Sequence, residues 1–590
     1  MSGQDQRPKS LVESLELSRK KFAQNNIFAT KKNGAYSWIT YGDFATKVDQ
    51  LRGGLVKTGI KKGDKVAIIA RNSVEWAVAA YATYSIGAVF VAMYENQKDS
   101  EWRYIINDSG AKLVFSWDDS IHQKVLKMVG DIDSLEYAFN LTASKNAKDS
   151  YLGLLELGKK NAVEAYMPKP DELLCLIYTS GTTGNPKGVM LTHDNVLSNC
   201  FAASEIFDWS SEDTTLSFLP WAHIFGQVAE LHVLIFLGYK TAFAESVQTI
   251  TDNLQEIKPT LLMAVPRVFN RIYDGVNKKM RAKGGPIAAL FFNGLEYKQR
   301  SKEGGSLSLK ESLVLFLAEK VVFAKVRGAF GGNLRYAISG AAALDAKIGH
   351  FIDNLGITIF EGYGLSETSP MISANCNGHI KIGSVGKLIP GVQVKIDTSV
   401  ATGSSEEGEI VAYGPNIMQG YYNLPEETAK VMTDDKGFRT GDIGRIDSEG
   451  YLHITGRIKE QYKLENGKYV VPSPLEETLK LSPYIDNAFI YGDNKDFNVC
   501  LLGVNMEALS EYAKTNNISG DLLKSSAIRE MYQAEVLKFK DSFKEYEIPR
   551  KVTLIDEEWT PDNGFLTPSL KVKRRVVLER YQSQIEGLYS

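Results

Sequence analysis

The sequence predicts an α/β protein with a large N-terminal domain of mostly parallel βα layers, which includes a small β-rich subdomain, and a small α+β C-terminal domain. Apolar strands alternate with helical patterns along most of the chain, which is typical of parallel sheets built from βαβ units. The chain has 590 residues. This exceeds what one hydrophobic core ordinarily holds, so two or more domains are expected.

This prediction rests on six strands, at 66–70, 88–91, 173–178, 259–265, 334–339 and 357–361. It also rests on three helices: one near 74–84, one that Thr192 could cap at its N-terminus, and one at 344–355. In such sheets ligands bind at the carboxyl ends of the strands. From about residue 385 to 456, short strands with Gly, Pro and Asp indicate the β-rich subdomain. We place the domain boundary at Lys459, which divides the chain into 1–458 and 459–590.

Composition excludes several functional classes. The net charge of −3 gives no support for nucleic acid as a partner. The four cysteines lie far apart without a C-x-x-C pair, which fits a reducing compartment and excludes a cysteine zinc site. The polar N-terminus lacks the apolar core of a signal peptide, and the uncharged stretch 76–93 reads as a buried helix and strand. We therefore expect a cytoplasmic protein without a transmembrane helix.

One segment leaves two interpretations open. Residues 276–310 interleave lysines and arginines with Phe291 and Phe292. A basic and aromatic segment of this kind can contact an anionic membrane surface. A solvated helical hairpin explains the same pattern, because charge runs are usually exposed faces.

The most informative stretch is Tyr-Thr-Ser-Gly-Thr-Thr-Gly-Asn-Pro-Lys-Gly at 178–188, which follows an apolar strand. Glycines let backbone N–H groups turn toward a ligand, hydroxyls donate hydrogen bonds to anionic oxygens, and the lysine adds positive charge. The pattern therefore predicts a triphosphate site, although it cannot be aligned with a Walker A loop. The candidate ATP-binding residues here are Thr179, Ser180, Gly181, Thr182, Thr183, Gly184 and Lys187.

A second motif ends the strand at 357–361. The glycines on either side leave the Tyr363 ring free to lie on a base, and such stacking contributes roughly 1–3 kcal/mol. Glu367 offers Mg²⁺ a hard oxygen while the metal bridges phosphates, and we take Glu367 and Thr179 as the candidate metal ligands. The candidate nucleotide-binding residues of this motif are Glu361, Gly362, Tyr363, Gly364, Leu365 and Ser366.

Three further short motifs carry candidate residues. Small side chains at Ser339, Gly340 and Ala341 follow another strand and let backbone approach a ligand, although a tight packing corner explains them equally well. Asp442 follows Arg-Thr-Gly, and a single carboxylate can accept both ribose hydroxyls. A basic stretch at 571–575 lies near the C-terminus, where a solvated tail is the ordinary interpretation.

Taken together, these motifs resemble the adenylate-forming superfamily, which includes acyl-CoA synthetases, firefly-type luciferases and peptide-synthetase adenylation domains. Their order over residues 178–575 is most similar to long-chain fatty acyl-CoA synthetases, as is the Lys-Tyr-Val-Val-Pro string at 468–472. The resemblance implies ATP, Mg²⁺ and coenzyme A as cofactor and co-substrates, a long-chain fatty acid as substrate, and a mobile C-terminal domain. Ser366 departs from the threonine usual in the family but keeps the hydroxyl.

The resemblance also implies roles for individual residues. Residues 339–341 belong to the adenine pocket, Asp442 binds ribose, and Arg457 contacts nucleotide phosphate or ribose. Lys459 is the interdomain hinge, and His223 flanks the acyl carboxylate, where a core histidine is the alternative. Lys571 binds the acid carboxylate and the α-phosphate, with Lys573 as the alternative assignment. The predicted catalytic residues are Lys571, His223 and Glu367.

The predicted reaction is therefore ATP-dependent activation of a long-chain fatty acid through an acyl-adenylate, followed by transfer to coenzyme A. Two alternatives stay open at this stage. An adenylating ligase of the same superfamily can pass the acyl group to a carrier protein or an amine. A catalytically inactive nucleotide-binding or fatty-acid-binding protein is the other.

Overall fold

The computed structural model describes residues 7–179, 185–246, 248–400, 405–567 and 571–589. The chain forms two compact units. The first unit contains the described residues up to Gln393 together with Ala412–Phe438, and the second contains Val394–Val411 and the chain from Arg439 onward. The mixed, largely parallel sheets with helices and the smaller α+β unit confirm the predicted fold class. The boundary at Lys459 stays a prediction.

The strands of the first unit form two sheets. The nine-stranded sheet has the order β15-β14-β13-β12-β11-β9-β10-β1-β2, and the seven-stranded sheet has the order β18-β8-β7-β4-β3-β5-β6. Their bounds are β1 Asn26–Lys32, β2 Ala35–Thr40, β3 Lys65–Ile69, β4 Val89–Met93, β5 Ala111–Ser116, β6 Tyr137–Asn140, β7 Leu173–Thr179, β8 Lys187–Thr192, β9 Thr214–Ser217, β10 Lys240–Phe243, β11 Leu261–Ala264, β12 Tyr336–Ser339, β13 Thr358–Gly364, β14 Met371–Ala374, β15 Lys387–Leu388 and β18 Gly420–Tyr421.

Helices flank these sheets. They are α1 Leu11–Phe22, α2 Tyr41–Thr58, α3 Val74–Tyr84, α4 Asp99–Ser109, α5 Asp119–Leu126, α6 Tyr151–Lys160, α7 His193–Ile206, α8 Ile224–Gly226, α9 Val233–Leu237, α10 Ile250–Ile257, α11 Pro266–Lys283, α12 Gly285–Lys302, α13 Leu309–Leu317, α14 Ala324–Ala329, α15 Ala346–Asn354 and α16 Pro425–Val431, with π-helical turns at Gln227–His232 and Ala318–Phe323 and a 3₁₀ turn at Ser366–Thr368.

The second unit contains a four-stranded sheet of order β16-β17-β19-β20, a two-stranded sheet β21-β22 and a three-stranded sheet β23-β24-β25. Its elements are β16 Gln393–Asp397, β17 Gly408–Tyr413, β19 Phe438–Ile446, β20 Leu452–Arg457, β21 Tyr462–Lys463, β22 Tyr469–Val470, α17 Pro472–Leu479, β23 Ile485–Tyr491, β24 Val499–Val504, α18 Met506–Thr515, α19 Ser526–Leu537, β25 Lys551–Ile555 and α20 Arg574–Gly587, with 3₁₀ turns at Leu522–Lys524, Lys540–Ser542 and Glu545–Glu547.

Local sequence explains where the elements that carry the site begin. Thr192 caps α7 by accepting a hydrogen bond from the Asn195 N–H, and Asn195 Oδ1 accepts one from the Thr192 N–H. The strands β3, β4 and β7 are buried and run parallel, which matches their continuous apolar character. The chain after β7 differs from the sequence-based expectation of a loop followed by a helix. The loop after β7 does not lead directly into a helix, because β8 first returns antiparallel to β7.

Candidate active site

The hairpin of β7 and β8 holds the two ends of the predicted phosphate loop. Thr179 at the end of β7 pairs with Lys187 at the start of β8. Ser180, Gly181, Thr182, Thr183 and Gly184 lie outside the described residues. Lys187 Nζ is 2.5 Å from Glu427 Oε2 and lies over the ring of Tyr421, 5.0 Å from its centroid. Lys187, followed by Lys430, lowers the pKa of Glu427 to about 2 by donating hydrogen bonds to the carboxylate.

The second predicted motif forms a tight corner after β13. A side-chain Cβ at Gly364 would lie 1.7 Å from the carbonyl oxygen of Pro370, so this position requires glycine. The Leu365 N–H donates to the Pro370 carbonyl and to Thr368 Oγ1. Ser366 is buried at the start of the 3₁₀ turn that carries Glu367. The corner therefore fixes the backbone of Glu367.

Glu367 is held beside the hairpin by a residue that the sequence analysis missed. The Tyr421 hydroxyl donates to Glu367 Oε1 at 2.8 Å, and the Met418 N–H donates to the Glu367 carbonyl at 2.9 Å. Within the described part of the chain, Glu367 Oε2 has no hydrogen-bond partner. Because Lys187 lies over the same tyrosine ring, Tyr421 brings the predicted phosphate lysine and the predicted metal ligand to one place.

Tyr421 and Glu427 carry no motif that would have identified them. They follow Lys187 by more than 230 residues in the chain. β18 pairs with β8 and places Tyr421 opposite Val189, and α16, which carries Glu427, follows β18 directly. Only this strand pairing, and no spacing in the sequence, reveals their proximity.

The small-residue motif lies next to the strand that carries Glu361. Ser339 ends β12 opposite Glu361 on β13, and its buried hydroxyl has no hydrogen-bond partner among the described residues. A Cβ at Gly340 would lie 3.1 Å from the Phe225 ring, so a larger side chain would displace that ring. Ala341 has a positive φ of 69°, which disfavours most side chains. Both of the earlier interpretations, a close ligand approach and a packing corner, are compatible with this geometry.

Glu361 is buried and accepts a hydrogen bond from the Leu344 N–H at 3.0 Å. Burial raises its pKa to about 7, and this hydrogen bond only partly offsets the effect. A buried carboxyl group without a countercharge favours its neutral form. Glu361 therefore titrates near neutral pH.

This shift predicts a pH dependence of stability. The folded-state pKa of about 7 lies above the reference value of 4.5, so the folded protein retains a proton that the unfolded chain releases. The contribution of Glu361 to the free energy of unfolding is present in full below pH 4.5. It is lost as the pH rises through about 7, and the total loss is about 3 kcal/mol. Denaturant unfolding of Glu361→Gln across this window should show a smaller pH dependence than the wild type, because glutamine does not titrate. Glutamine also keeps an oxygen that accepts the hydrogen bond from the Leu344 N–H. Equal pH dependences would contradict the assignment.

His223 lies at the N-terminus of α8, where its Nδ1 accepts a hydrogen bond from the Phe225 N–H at 3.2 Å. The loop before it is anchored by the buried Glu230, whose Oε2 accepts from Ser217 Oγ at 2.5 Å and from Trp221 Nε1 at 3.2 Å. Burial raises the pKa of Glu230 to about 8, although these donors lower it. Glu230, which the sequence analysis also missed, therefore determines the course of the chain that leads to His223.

Two predicted ribose and phosphate residues meet in the second unit. Asp442 on β19 pairs in register with Arg457 on β20, and Arg457 Nε is 2.9 Å from Asp442 Oδ1. Asp442 is buried within a strand, which differs from an ordinary Gly-Asp turn. The neighbouring Gly441 has a positive φ of 72°.

The other two predicted residues of this unit lie on separate elements. Lys459 is exposed in the turn directly after β20. Lys571 is also exposed, and its backbone exchanges hydrogen bonds with Thr567, whose N–H donates to the Lys571 carbonyl at 2.8 Å. Lys573 is half-buried directly before α20, where its N–H donates to the Phe565 carbonyl. This geometry makes the Lys571 side chain the more accessible of the two.

Among the described residues, no group of three or more His, Cys, Asp or Glu side chains is arranged to hold a metal ion. No helix in that part of the chain is long and apolar enough to cross a membrane.

Comparison with known proteins establishes the family. Residues 17–422 match the family described as AMP-binding enzyme, and residues 459–590 match the AMP-binding enzyme C-terminal domain. The chain belongs to the AMP-binding enzyme family. This confirms the resemblance on which the sequence analysis relied.

Curated relatives of this family member extend over almost its full length. A long-chain-fatty-acid–CoA ligase, FadD15 of Mycobacterium bovis, is 32% identical over 96% of this chain and 94% of its own. A peroxisomal long chain acyl-CoA synthetase 6 of Arabidopsis thaliana is 30% identical, over 94% of this chain and 82% of its own. A fatty acyl-CoA synthetase A of Dictyostelium discoideum is 30% identical over 96% of this chain and 87% of its own.

Solved structures confirm the fold. The adenylation domain of a carboxylate reductase from Mycobacterium chelonae has a TM-score of 0.81 at 21% identity, over 98% of this chain and 91% of that one. The corresponding domain from Segniliparus rugosus, in complex with AMP and a co-purified carboxylic acid, has a TM-score of 0.79 at 19% identity, over 99% of this chain and 95% of that one. At these identities the likeness concerns the fold alone.

Proposed function

We propose that this AMP-binding enzyme is a long-chain fatty acid–CoA ligase. It activates the acid with ATP as an acyl-adenylate and then forms acyl-CoA, AMP and pyrophosphate. Full-length relatives with this activity in their names support the proposal. The observation that carries it within this chain is the cluster of Lys187, Glu367 and Tyr421 at the end of β7 and the corner after β13.

The reaction needs no protein nucleophile. A carboxylate oxygen of the acid attacks the α-phosphorus of ATP, and the bond to pyrophosphate breaks. The thiol of coenzyme A then attacks the acyl carbon, loses its proton, and AMP leaves with the electron pair of the broken C–O bond. Both reactants of the first step are anions, so the protein must hold them in line and offset their repulsion.

Individual residues take the following proposed roles in binding ATP. Lys187 and the hydroxyls and N–H groups of 179–184 bind the β- and γ-phosphates. The proposed role of Lys187 requires it to leave Glu427 when a phosphate is present. Tyr363 stacks on adenine beside residues 339–341 and the strand from Glu361 to Gly364, and Asp442 accepts the ribose hydroxyls with Arg457 beside it.

Mg²⁺ is a proposed cofactor, and Glu367 fits it. Glu367 Oε2 is a hard oxygen without a described protein partner, and its other oxygen is fixed by Tyr421. Thr179, at the end of β7, is the second proposed ligand. When bound there, the ion would supply positive charge that offsets the negative charge of the phosphates.

The remaining proposed roles concern the acyl group. His223 flanks the carboxylate of the acid, and Lys571 binds that carboxylate and the α-phosphate during adenylation. Lys459 is the proposed hinge between the half-reactions. Because the full-length relatives are named as CoA ligases, a carrier protein or an amine as the acceptor is not favoured.

Tyr421→Phe tests the cluster. Removing the hydroxyl deprives the Glu367 carboxylate of a charge-assisted hydrogen bond, which is worth about 1.5–3 kcal/mol. We expect the concentration of Mg-ATP that half-saturates pyrophosphate release to rise at least about tenfold, while the protein folds normally. Tyr422→Phe is the matched control, because the Tyr422 hydroxyl has no hydrogen bond to a described residue. Equal Mg-ATP dependence in both variants would contradict the role.

The cysteines bear on the compartment in which the protein works. Cys175, Cys200, Cys376 and Cys500 are buried and form no disulfide. This supports a reducing compartment such as the cytoplasm. We also propose peripheral membrane contact involving the basic segment 276–310, since the proposed substrate is an amphiphile.

The test of the reaction is acyl-CoA formation with ATP and Mg²⁺ over acids from acetate to long saturated and unsaturated chains, with and without coenzyme A. Thioester product that peaks at long chains is expected. Pyrophosphate exchange without thioester would retain the adenylation site and overturn coenzyme A as the acceptor. Absence of exchange with every acid would overturn the whole proposal.

A further inference from the structure

Helix α13 presents an unusual exposed surface. It contains no buried residue, and its N-terminal Leu309 is 92% exposed. Leu313 and Phe316, at helical spacing from Leu309, are 58% and 57% exposed. We define the outer face as this apolar stripe with its continuation into the π-helical turn: Leu309, Leu313, Phe316, Leu317 and Val321. Single exposed apolar residues are ordinary, but five in one stripe form a patch that indicates an interaction.

The opposite side of the same helical segment explains why this stripe points outward. Ala318 and Val322 are buried beneath it. Glu311 forms an ion pair with Arg300 of α12, and Glu319 pairs with Lys298 of α12 and with Arg327 of α14. Ion pairs and buried residues of the π-helical turn thus attach this segment to its neighbours, while the large apolar side chains of α13 remain on the outside.

The side chains along this helical segment include three lysines whose positive charge is not compensated by a described partner. Lys310, Lys320 and Lys325 are exposed, and within the described part of the chain they form no ion pair. The acidic side chains Glu311 and Glu319 are already neutralised by their partners. An apolar stripe bordered by uncompensated lysines is complementary to a bilayer that carries anionic headgroups.

Phe291 of the basic segment does not contribute to this surface. Phe291 is fully buried, with its ring centroid 6.0 Å from that of Phe323 and 6.3 Å from that of Phe351. Phe292 is half-buried. The strongly exposed apolar side chains lie instead on α13, which begins at Leu309, at the end of this segment.

We infer that the outer face is a docking surface for anionic lipid membranes, with Leu309, Leu313 and Phe316 inserted among the headgroups and acyl chains. This inference rests on the membrane contact proposed above and is independent of the ligase reaction. An interfacial helix of this kind lies in the plane of the membrane surface. It would keep the enzyme at the phase in which a long-chain fatty acid is most concentrated.

The test is sedimentation of the full-length protein with sucrose-loaded vesicles, made of phosphatidylcholine alone or with phosphatidylglycerol, without ATP or acid. We expect binding that increases with phosphatidylglycerol and decreases with salt. The double variant Leu313→Glu, Phe316→Glu should lose at least about tenfold in binding, since charge at the interface is strongly disfavoured. Replacing Lys310, Lys320 and Lys325 by glutamine should cost about fivefold for each lysine, and only with phosphatidylglycerol present.

The matched control is Leu537→Glu, which changes a leucine on α19 that is 46% exposed. All these positions are exposed, and circular dichroism with thermal unfolding checks that each variant folds. Wild-type protein that binds neither vesicle, or a double variant that binds like the control, would overturn the inference. Sedimentation velocity tests whether a second copy of the chain, instead of a membrane, occupies the outer face. A wild-type dimer that the double variant disrupts, with vesicle binding unchanged, would assign the face to a second copy of the chain.

Discussion

Lys571→Ala is expected to lower the rate of acyl-adenylate formation by at least about 10²-fold. Removing a single group that stabilises developing charge typically has an effect of this size. The same variant should convert supplied acyl-adenylate and coenzyme A to thioester at close to the wild-type rate, because that half-reaction does not need the α-phosphate contact. Pyrophosphate exchange measures the first step and thioester formation from synthetic acyl-adenylate measures the second.

Lys573→Ala is the matched control for this experiment. Lys573 lies two residues further along and is half-buried before α20, whereas Lys571 is exposed. We expect Lys573→Ala to retain adenylation. Loss of both half-reactions in Lys571→Ala would contradict a role confined to the first step, and a selective loss in Lys573→Ala alone would transfer the role to that residue.

Gly364→Ala is expected to destabilise the first unit by about 3 kcal/mol or more, the size typical of severe overpacking. The added Cβ would lie 1.7 Å from the Pro370 carbonyl oxygen, and backbone atoms cannot rotate away as a flexible side chain can. The corner that carries Glu367 would have to move, so adenylation should fall together with stability. Denaturant unfolding and pyrophosphate exchange measure the two effects.

Gly362→Ala provides the comparison on the same strand. Its added Cβ would lie 3.5 Å from the Ser373 carbonyl oxygen, which is an ordinary contact. Both changes have the same chemistry and lie two residues apart on β13, so they differ mainly in the space available. Similar stability of the two variants would show that the corner can relax and that Gly364 is not required for it.

The elements that could be predicted from the sequence are those with a strong local signal. The helix expected at 74–84 is α3, and Thr192 caps α7 as expected from its position. β8 could not be predicted in the same way. Its residues, Lys187–Thr192, read as the loop and approach to a helix, and they form a strand only because β7 and β18 provide hydrogen-bonding partners on both sides.

The candidate site also contains some features that the sequence predicts and others that only the structure reveals. Glycines, hydroxyls, a lysine and an acid at the ends of apolar strands were enough to predict a nucleotide site, because backbone freedom, charge and hydrogen-bonding capacity are properties of the residues themselves. The adenylate-forming family came from the resemblance of these motifs, in their order along the chain. The partners Tyr421 and Glu427, the burial that raises the pKa of Glu361, and the apolar stripe of α13 came only from the tertiary structure. Each of these depends on which distant segments pack together and which surface they leave exposed, and residue spacing carries no such information.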